Sequence, residues 1–150
     1  MTKTNRYRRT ILLAAALTVA GGSVASRAQV PERSVWTGVF TADQAARGKT
    51  AYDQNCAACH SPMLTGGDSA PALVGGPFLN NWNSTAATDL YDRIKTTMPA
   101  GDPGSLSAKV VTDIEAYIFQ VNGFPAGSVE LPPSPQMQAG VKIVATRPAG

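Results

Sequence analysis

Histidine and cysteine are nearly missing from this chain of 150 residues: His60 is the only histidine, and Cys56 and Cys59 are the only cysteines. Hydrolases that depend on a Ser–His or Cys–His pair are therefore excluded unless His60 itself takes part. A structural zinc site usually needs four Cys or His ligands, and this chain has only three such residues. No segment repeats with a period of about 20 to 50 residues, which argues against a solenoid.

Long apolar runs are also scarce, and the longest one lies near the N-terminus. Residues 1–28 have the pattern of a signal peptide, with basic residues before the run Ile11 to Ala20 and small residues around Arg27. The run is shorter than the ~20 residues that a membrane-spanning helix needs. We therefore expect export to the periplasm and no integral membrane span in the mature form. The alternative is that the segment stays as a membrane anchor.

The basic character of the whole chain comes from this segment. Five of the 13 Lys and Arg residues lie within residues 1–28, whereas all 10 Asp and Glu residues follow it. Eight basic against ten acidic residues leave the mature chain at −2. Nucleic-acid binding loses its main electrostatic support, because such binding depends on positive charges that meet phosphates. We expect no nucleic-acid partner.

Beyond the signal, the composition divides the chain into three parts. Residues 29–40 are expected to form an extended N-terminal arm, and residues 41–125 contain the segments with helical periodicity. Residues 126–150 hold four prolines and show no clear period, so the sequence predicts an irregular C-terminal tail.

Three main helices are expected within residues 41–125, and no convincing strand, which predicts an all-α fold. Thr41 and Gln44 have the spacing of a capping box at a helix start. A second helix is expected over about 85–97, and a third from the N-cap Ser107 to a stop near Gly123. Residues 61–84 are rich in Gly, Pro and Asn and are predicted to be largely loop.

The motif that carries chemistry is Cys56-Ala57-Ala58-Cys59-His60, a complete C-x-x-C-H. This pattern is typical of covalent attachment of one haem c. Two thiols three residues apart on a helical turn reach both vinyl groups of one haem edge, and the adjacent imidazole binds the iron from the same side. A thioredoxin-like redox motif and a plain disulfide remain the alternatives, although no βαβ pattern supports the former.

The other face of the iron needs a ligand that is not histidine. Bis-His ligation is impossible within one chain, and a peroxidase with a distal His is excluded. Met98 is the best candidate, because it lies 38 residues after His60 and is followed by Pro99. Thioether sulfur suits haem iron and raises its potential. Met63 is too close to His60 to reach the opposite face easily, and Met137 lies in the tail.

Residues 41–125 resemble class I c-type cytochromes. The resemblance rests on C-A-A-C-H together with A-P-A-L-V-G (70–75), T-M-P (97–99) and D-I-E-A-Y-I (113–118). It implies a small cytochrome c-like fold around one haem. It also implies that Gly48 and Tyr52 cross against Ile114 and Tyr117, that the carbonyl of Pro71 accepts a hydrogen bond from His60 Nδ1, and that Trp82 donates to a haem propionate.

The function expected from these features is one-electron transfer by cycling between Fe(III) and Fe(II), with no substrate transformed by the protein itself. The segment 34–48 resembles the lead-in of cytochromes that accompany quinoprotein (PQQ) dehydrogenases. Redox proteins, such as a quinoprotein dehydrogenase or a terminal oxidase, are therefore the expected partners. Two alternatives stay open: a cytochrome subunit of an alcohol or sugar dehydrogenase complex, with Trp36 and the tail as docking elements, and a haem-based ligand sensor.

Overall fold

The computed structural model describes residues 33–148. The predicted signal peptide, residues 1–28, and the start of the arm lie outside the described residues. Helices supply nearly all of the regular structure, which confirms the all-α prediction. The elements are the helices α1 (Ala42–Asn55), α2 (Ala57–His60), α3 (Gly75–Trp82), α4 (Ala87–Thr97), α5 (Ala108–Val121) and α6 (Pro135–Gln138), and the short strands β1 (Arg33–Ser34) and β2 (Val141–Lys142).

Side-chain caps begin the two longest helices where the sequence predicts them. Thr41 Oγ1 accepts a hydrogen bond of 3.1 Å from the amide of Gln44, and Ser107 Oγ accepts one of 3.3 Å from the amide of Val110. Each bond satisfies an amide that the first helical turn leaves without a partner. Gly123, at φ +84°, takes the left-handed conformation just past the end of α5.

Helices α1 and α5 cross at Gly48, and this contact forms the centre of the fold. A Cβ atom at position 48 would overlap the backbone carbonyl of Asp113 and press on the side chain of Tyr117. The ring of Tyr52 packs edge-on against that of Tyr117, with 5.5 Å between centroids. The crossing implied by the family resemblance is therefore present. Helix α5 is buried along most of its length, from residue 111 to residue 119.

Residues 61–84 are largely loop, as predicted, but they include helix α3, which the sequence does not predict. The first turn of α3 contains Pro77, which is tolerated there because the first amides of a helix have no partner. The amide of Gly75 is bound by the side chain of Asn122 at 2.9 Å, and Phe78 is fully buried. The helix thus depends on contacts with α5 and the core, which local propensity does not reveal.

The C-terminal tail packs onto the fold, which its sequence does not predict. Most of residues 126–148 are irregular, as predicted, but they also contain α6 and β2, and β2 pairs in parallel with β1 of the arm. Leu131 and Ile143 are buried in the core. No local period announces these contacts, because their partners lie far away in the sequence.

Gln44 also makes contacts with a residue that lies far away in the sequence. The second half of the predicted capping box is absent, since the side chain of Gln44 turns to Leu131 instead. Its Nε2 donates to the Leu131 carbonyl at 2.9 Å, and its Oε1 accepts from the Leu131 amide at 2.8 Å.

Over residues 33–148, no helix has the length and apolar character that crossing a bilayer requires.

Candidate functional site

The C-x-x-C-H motif forms a helical turn directly after α1. The amide of Cys56 bonds to the carbonyl of Tyr52 at 2.8 Å, and the amide of His60 bonds to the carbonyl of Cys56 at 2.9 Å. Because residues three apart share a helix face, this turn places the side chains of Cys56 and Cys59 on one side. The two cysteines do not form a disulfide. Cys56 is half-buried, whereas Cys59 is exposed.

The imidazole of His60 is buried and held in a fixed orientation. Its Nδ1 lies 2.8 Å from the carbonyl oxygen of Pro71, the hydrogen bond that the family resemblance implies. A carbonyl only accepts, so Nδ1 carries the proton and donates. This leaves Nε2 unprotonated and available to a metal, the arrangement that outer hydrogen bonds commonly enforce on histidine ligands.

A folded loop brings Pro71 back to His60. The amide of Gly66 bonds to the carbonyl of His60 at 2.9 Å, and the amide of Leu73 bonds to the carbonyl of Leu64 at 2.8 Å. Gly66 has φ +70°, and a Cβ there would overlap the backbone of Pro71 and its neighbour. Glycine is therefore required both for the backbone conformation and for the close return of the chain.

A cavity of about 730 Å³ adjoins the motif, a volume within the range of sites for small molecules and cofactors. Its walls include Cys56, Cys59 and His60 from the motif, the loop around Pro71, and Trp82 at the end of α3. Apolar side chains from the loop and from α4 and α5 form much of the remaining lining: Leu73, Leu90, Ile94, Ile114 and Ile118. The cavity suits a large, mainly apolar group attached at the motif.

Met98 lines the same cavity as His60. It is the residue at which α4 ends, and its amide bonds to the carbonyl of Ile94 at 3.1 Å. The segment that follows is fastened by Lys95, whose ammonium donates to the carbonyls of Gly104 and Leu106 at 2.8 and 2.7 Å. Met63 and Met137, in contrast, are 75% and 64% exposed and take no part in the lining.

Arg93 is a lining residue that the sequence analysis missed. It is the only charged side chain among the residues that line this cavity. The ion pairs within residues 33–148 use Arg47, Lys49 and Lys109, so Arg93 is not engaged in one of them. The spacing of Arg93 offers a weak signal, because residues 90, 93 and 94 share one helix face and Leu90 and Ile94 are apolar.

The electrostatics of the motif do not favour thiolate chemistry. Burial raises the pKa of the Cys56 thiol to about 11, and the neighbouring Cys59 adds to this. A reactive cysteine of the thioredoxin type has a lowered pKa, so this alternative loses support. Among the described residues, no group of three or more His, Cys, Asp or Glu side chains could hold a metal ion.

Comparisons with known proteins bear on the same part of the chain. Residues 43–118 match the family described as "Cytochrome C oxidase, cbb3-type, subunit III". A solved structure, the sulfane dehydrogenase SoxCD from Paracoccus pantotrophus, aligns with a TM-score of 0.45 and 23% sequence identity. The alignment covers 60% of this chain and 53% of that chain, so this chain spans about half the length of the one it matches. No curated protein matches the sequence.

Proposed function

This chain belongs to the cytochrome c family described as cbb3-type cytochrome c oxidase subunit III, and we propose that it carries single electrons in the periplasm with His60 and Met98 as the axial ligands of its haem iron. As a class I c-type cytochrome it has a small cytochrome c-like fold, a haem c cofactor and a role in electron transfer, as the sequence predicted. The proposed role requires no chemical step on a substrate.

The residues around the cavity fit a covalent haem. One helical turn presents both thiols, the buried imidazole has its Nδ1 occupied by Pro71, and the walls are mostly apolar. Haem c supplies an iron that accepts and donates one electron. The chain's own residues attach it through Cys56 and Cys59 and exclude water from its faces with the apolar walls. Since Cys59 is exposed, the attached edge is the side proposed for electron entry and exit.

Met98 is the residue proposed as the second ligand of the iron. Among the described residues it is the only methionine that lines the cavity with His60, and the other two are exposed to solvent. A thioether sulfur favours Fe(II) over Fe(III), and two permanent ligands allow the oxidation state to change without a ligand being gained or lost. Arg93 and Trp82, also in the lining, are proposed to face the haem propionates.

The assignment is tested by Met98→Ala in the haem-loaded protein. We expect the covalent haem to remain, because Cys56 and Cys59 are unchanged. The reduction potential should fall strongly, the weak near-infrared Met–Fe band should disappear, and carbon monoxide should bind the ferrous iron. Met63→Ala is the matched control and should change none of these. A Met98→Ala protein that keeps the band and the wild-type potential would refute the ligand assignment. A wild type that lacks the band and binds carbon monoxide would instead favour the ligand-sensor alternative.

The periplasmic location is proposed from the pattern of residues 1–28 and from the covalent haem, which is normally attached after export. We expect mass spectrometry of the exported protein to find a chain that begins near Gln29 and carries the mass of one haem. A membrane-bound species that retains residues 1–28 would contradict this location.

Redox proteins are the proposed partners, with a terminal oxidase suggested by the family description and a quinoprotein dehydrogenase by the sequence of residues 34–48. The idea that Trp36 is a docking element gains no support from its contacts. Its indole N–H donates to the carbonyl of Val144 at 2.8 Å, and its ring packs edge-on against Phe124 at 4.9 Å. Co-purification from the native source separates a free carrier from a complex subunit.

A further inference from the structure

Glu115 is a buried acid that the electron-transfer role does not use. It lies on α5 and is fully buried, and neither of its carboxyl oxygens has a hydrogen-bond partner among residues 33–148. Native proteins rarely leave buried polar atoms unpaired, and an unpaired buried carboxylate is especially costly. The environment of Glu115 therefore requires an explanation.

The side chain of Gln138 on α6 lies within hydrogen-bonding reach of this carboxyl group and also has an unpaired polar atom. It is also fully buried, and its Oε1 has no partner in the part of the chain that the structure describes. Its Nε2 donates to the carbonyl of Pro132 at 2.9 Å. Reversing the amide would set its oxygen against the Pro132 oxygen, and neither of these atoms can donate. The amide oxygen is thus the atom of Gln138 that still lacks a donor, while its second N–H stays available to the carboxyl group of Glu115.

One proton resolves both defects. We propose that Glu115 is a neutral carboxylic acid in the folded protein, that its O–H donates to Gln138 Oε1, and that this bond fastens the C-terminal segment 131–143 to α4 and α5. Helix α6 packs against α4, the helix that ends at Met98. The bond therefore holds the tail against the back of a helix that forms the cavity.

The charges around Glu115 favour its neutral form. Burial is the largest cause that raises the pKa of Glu115, and the negative charge of Asp92 on α4 adds to it. The second N–H of Gln138, which is not bound to Pro132, acts in the opposite direction, but burial outweighs it. The phenol of Tyr91 is the other titratable group of α4 that senses Glu115, and no Lys or Arg of residues 33–148 offsets the burial.

The proposal predicts the sign of a pH effect. A glutamic acid in an unfolded chain ionises above about pH 4.3, whereas Glu115 stays neutral in the fold to a higher pH. Between these two values the unfolded state binds fewer protons, so stability falls as pH rises. Glu115→Gln keeps a neutral side chain that still donates to Gln138. The unfolding equilibrium constant of Glu115→Gln should therefore be smaller than that of the wild type, by a further factor of about ten for each pH unit above pH 5. Below pH 4 the two constants should match.

Denaturant unfolding of the haem-loaded protein from pH 4 to pH 9 measures this difference. Glu130→Gln is the control, because Glu130 is half-exposed and pairs with Arg47 at the surface. Its difference from wild type should be small and constant above pH 6. If the difference between Glu115→Gln and wild type is equally constant, Glu115 is ionised in the fold and the proposal is wrong.

Two further measurements test the neutral acid and the fastening separately. Infrared difference spectra of wild type against Glu115→Gln at pH 7 should show the C=O band of one protonated carboxyl group, and its absence would overturn the proposal. Hydrogen exchange reports on the tail through the amide of Leu131, bound to Gln44, and that of Ile143, bound to Thr85. At pH 9 both should exchange faster in the wild type than in Glu115→Gln, and by a larger factor than the His60 amide does. Equal protection of Leu131 and Ile143 in the two proteins would show that the bond does not fasten the tail.

Discussion

The haem-binding region, residues 41–125, combines short-range contacts with the long-range crossing of α1 and α5, whereas the terminal region, residues 33–40 with 126–148, is joined to the fold mainly by long-range contacts. His60 binds Pro71 from 11 residues away, and Lys95 binds Leu106 from the same separation. In the terminal region, Trp36 binds Val144 across 108 residues. Short-range contacts leave motifs in the sequence, whereas contacts over such distances leave none. The two regions also divide their tasks, since one forms the cavity and the other covers the back of the helices.

The largest effect is expected at the helix crossing inside the haem-binding region. In Gly48→Leu the new side chain would overlap the carbonyl of Asp113, a backbone group that cannot move aside. Overpacking of this kind costs at least about 3 kcal/mol here, and we expect loss of folding or of a native haem spectrum. Thermal denaturation measures it. Gly76→Ala is the control, because a Cβ there meets no atom within 4 Å, and it should change stability by less than about 1 kcal/mol. Unchanged stability of Gly48→Leu would show that the crossing is looser than described.

Trp36→Ala is expected to cause the next largest loss of stability. This loss should arise in the terminal region and leave the haem site unchanged. The substitution removes a packed ring and the hydrogen bond to Val144, at a cost of about 3 kcal/mol. Trp36→Phe keeps much of the packing and should cost about 1 kcal/mol. Chemical denaturation gives both values. The reduction potential of the folded protein should not change in either variant. A shifted potential would mean that the two regions are coupled more closely than their contacts indicate.

Asp113 lies where the two regions meet, and it gives a pH-dependent effect of intermediate size. This nearly buried carboxylate binds Arg47 of α1 at 3.0 Å, and Arg47 also binds Glu130 of the tail at 2.8 Å. Burial acts to raise the pKa of Asp113, but the hydrogen bonds from Arg47 and Lys109 outweigh it and lower the pKa below its usual value of 3.8. A lowered pKa contributes stability above about pH 4 that is lost as pH falls.

Asp113→Asn should therefore cost about 1–3 kcal/mol at pH 7, and the cost should shrink as pH falls below 4. Asp53→Asn is the control, because Asp53 is half-exposed and its pair with Lys49 lies at the surface. Such surface pairs contribute less than about 1 kcal/mol. If the cost of Asp113→Asn is the same at pH 3 and pH 7, the ion pair with Arg47 does not hold the regions together.

The smallest effect on stability is expected for Arg93→Gln, which should alter the redox chemistry instead. Its exposed side chain contributes less than about 0.5 kcal/mol to folding. Removing a positive charge from the cavity wall favours Fe(III), so the potential should fall. Potentiometric titration measures the change, with Lys142→Gln in the terminal region as the control that leaves the potential unaltered. If Arg93→Gln and the wild type have equal reduction potentials, the guanidinium of Arg93 lies too far from the haem to affect it.

The sequence was most informative where a single residue type satisfies a local requirement. Thr41 and Ser107 predicted the helix starts, and the five-residue motif predicted the cofactor. It was least informative for α3, which is stabilised by tertiary contacts and not by local helix propensity. These contacts are the burial of Phe78 and the hydrogen bond from Gly75 to Asn122. Arg93 shares a helix face with Leu90 and Ile94, but a single arginine beside apolar positions is too weak a pattern to predict a cavity residue.

By itself the sequence determined the chemistry of the protein, because covalent attachment needs two thiols and an imidazole at fixed spacing, and these lie within five residues. Only the tertiary structure decided which methionine lines the cavity with His60, and that the tail packs on the fold through Leu131 and Ile143. The physical reason is that spacing along the chain fixes geometry only within a turn or two of helix. Contacts between distant residues depend on the packing of the whole core.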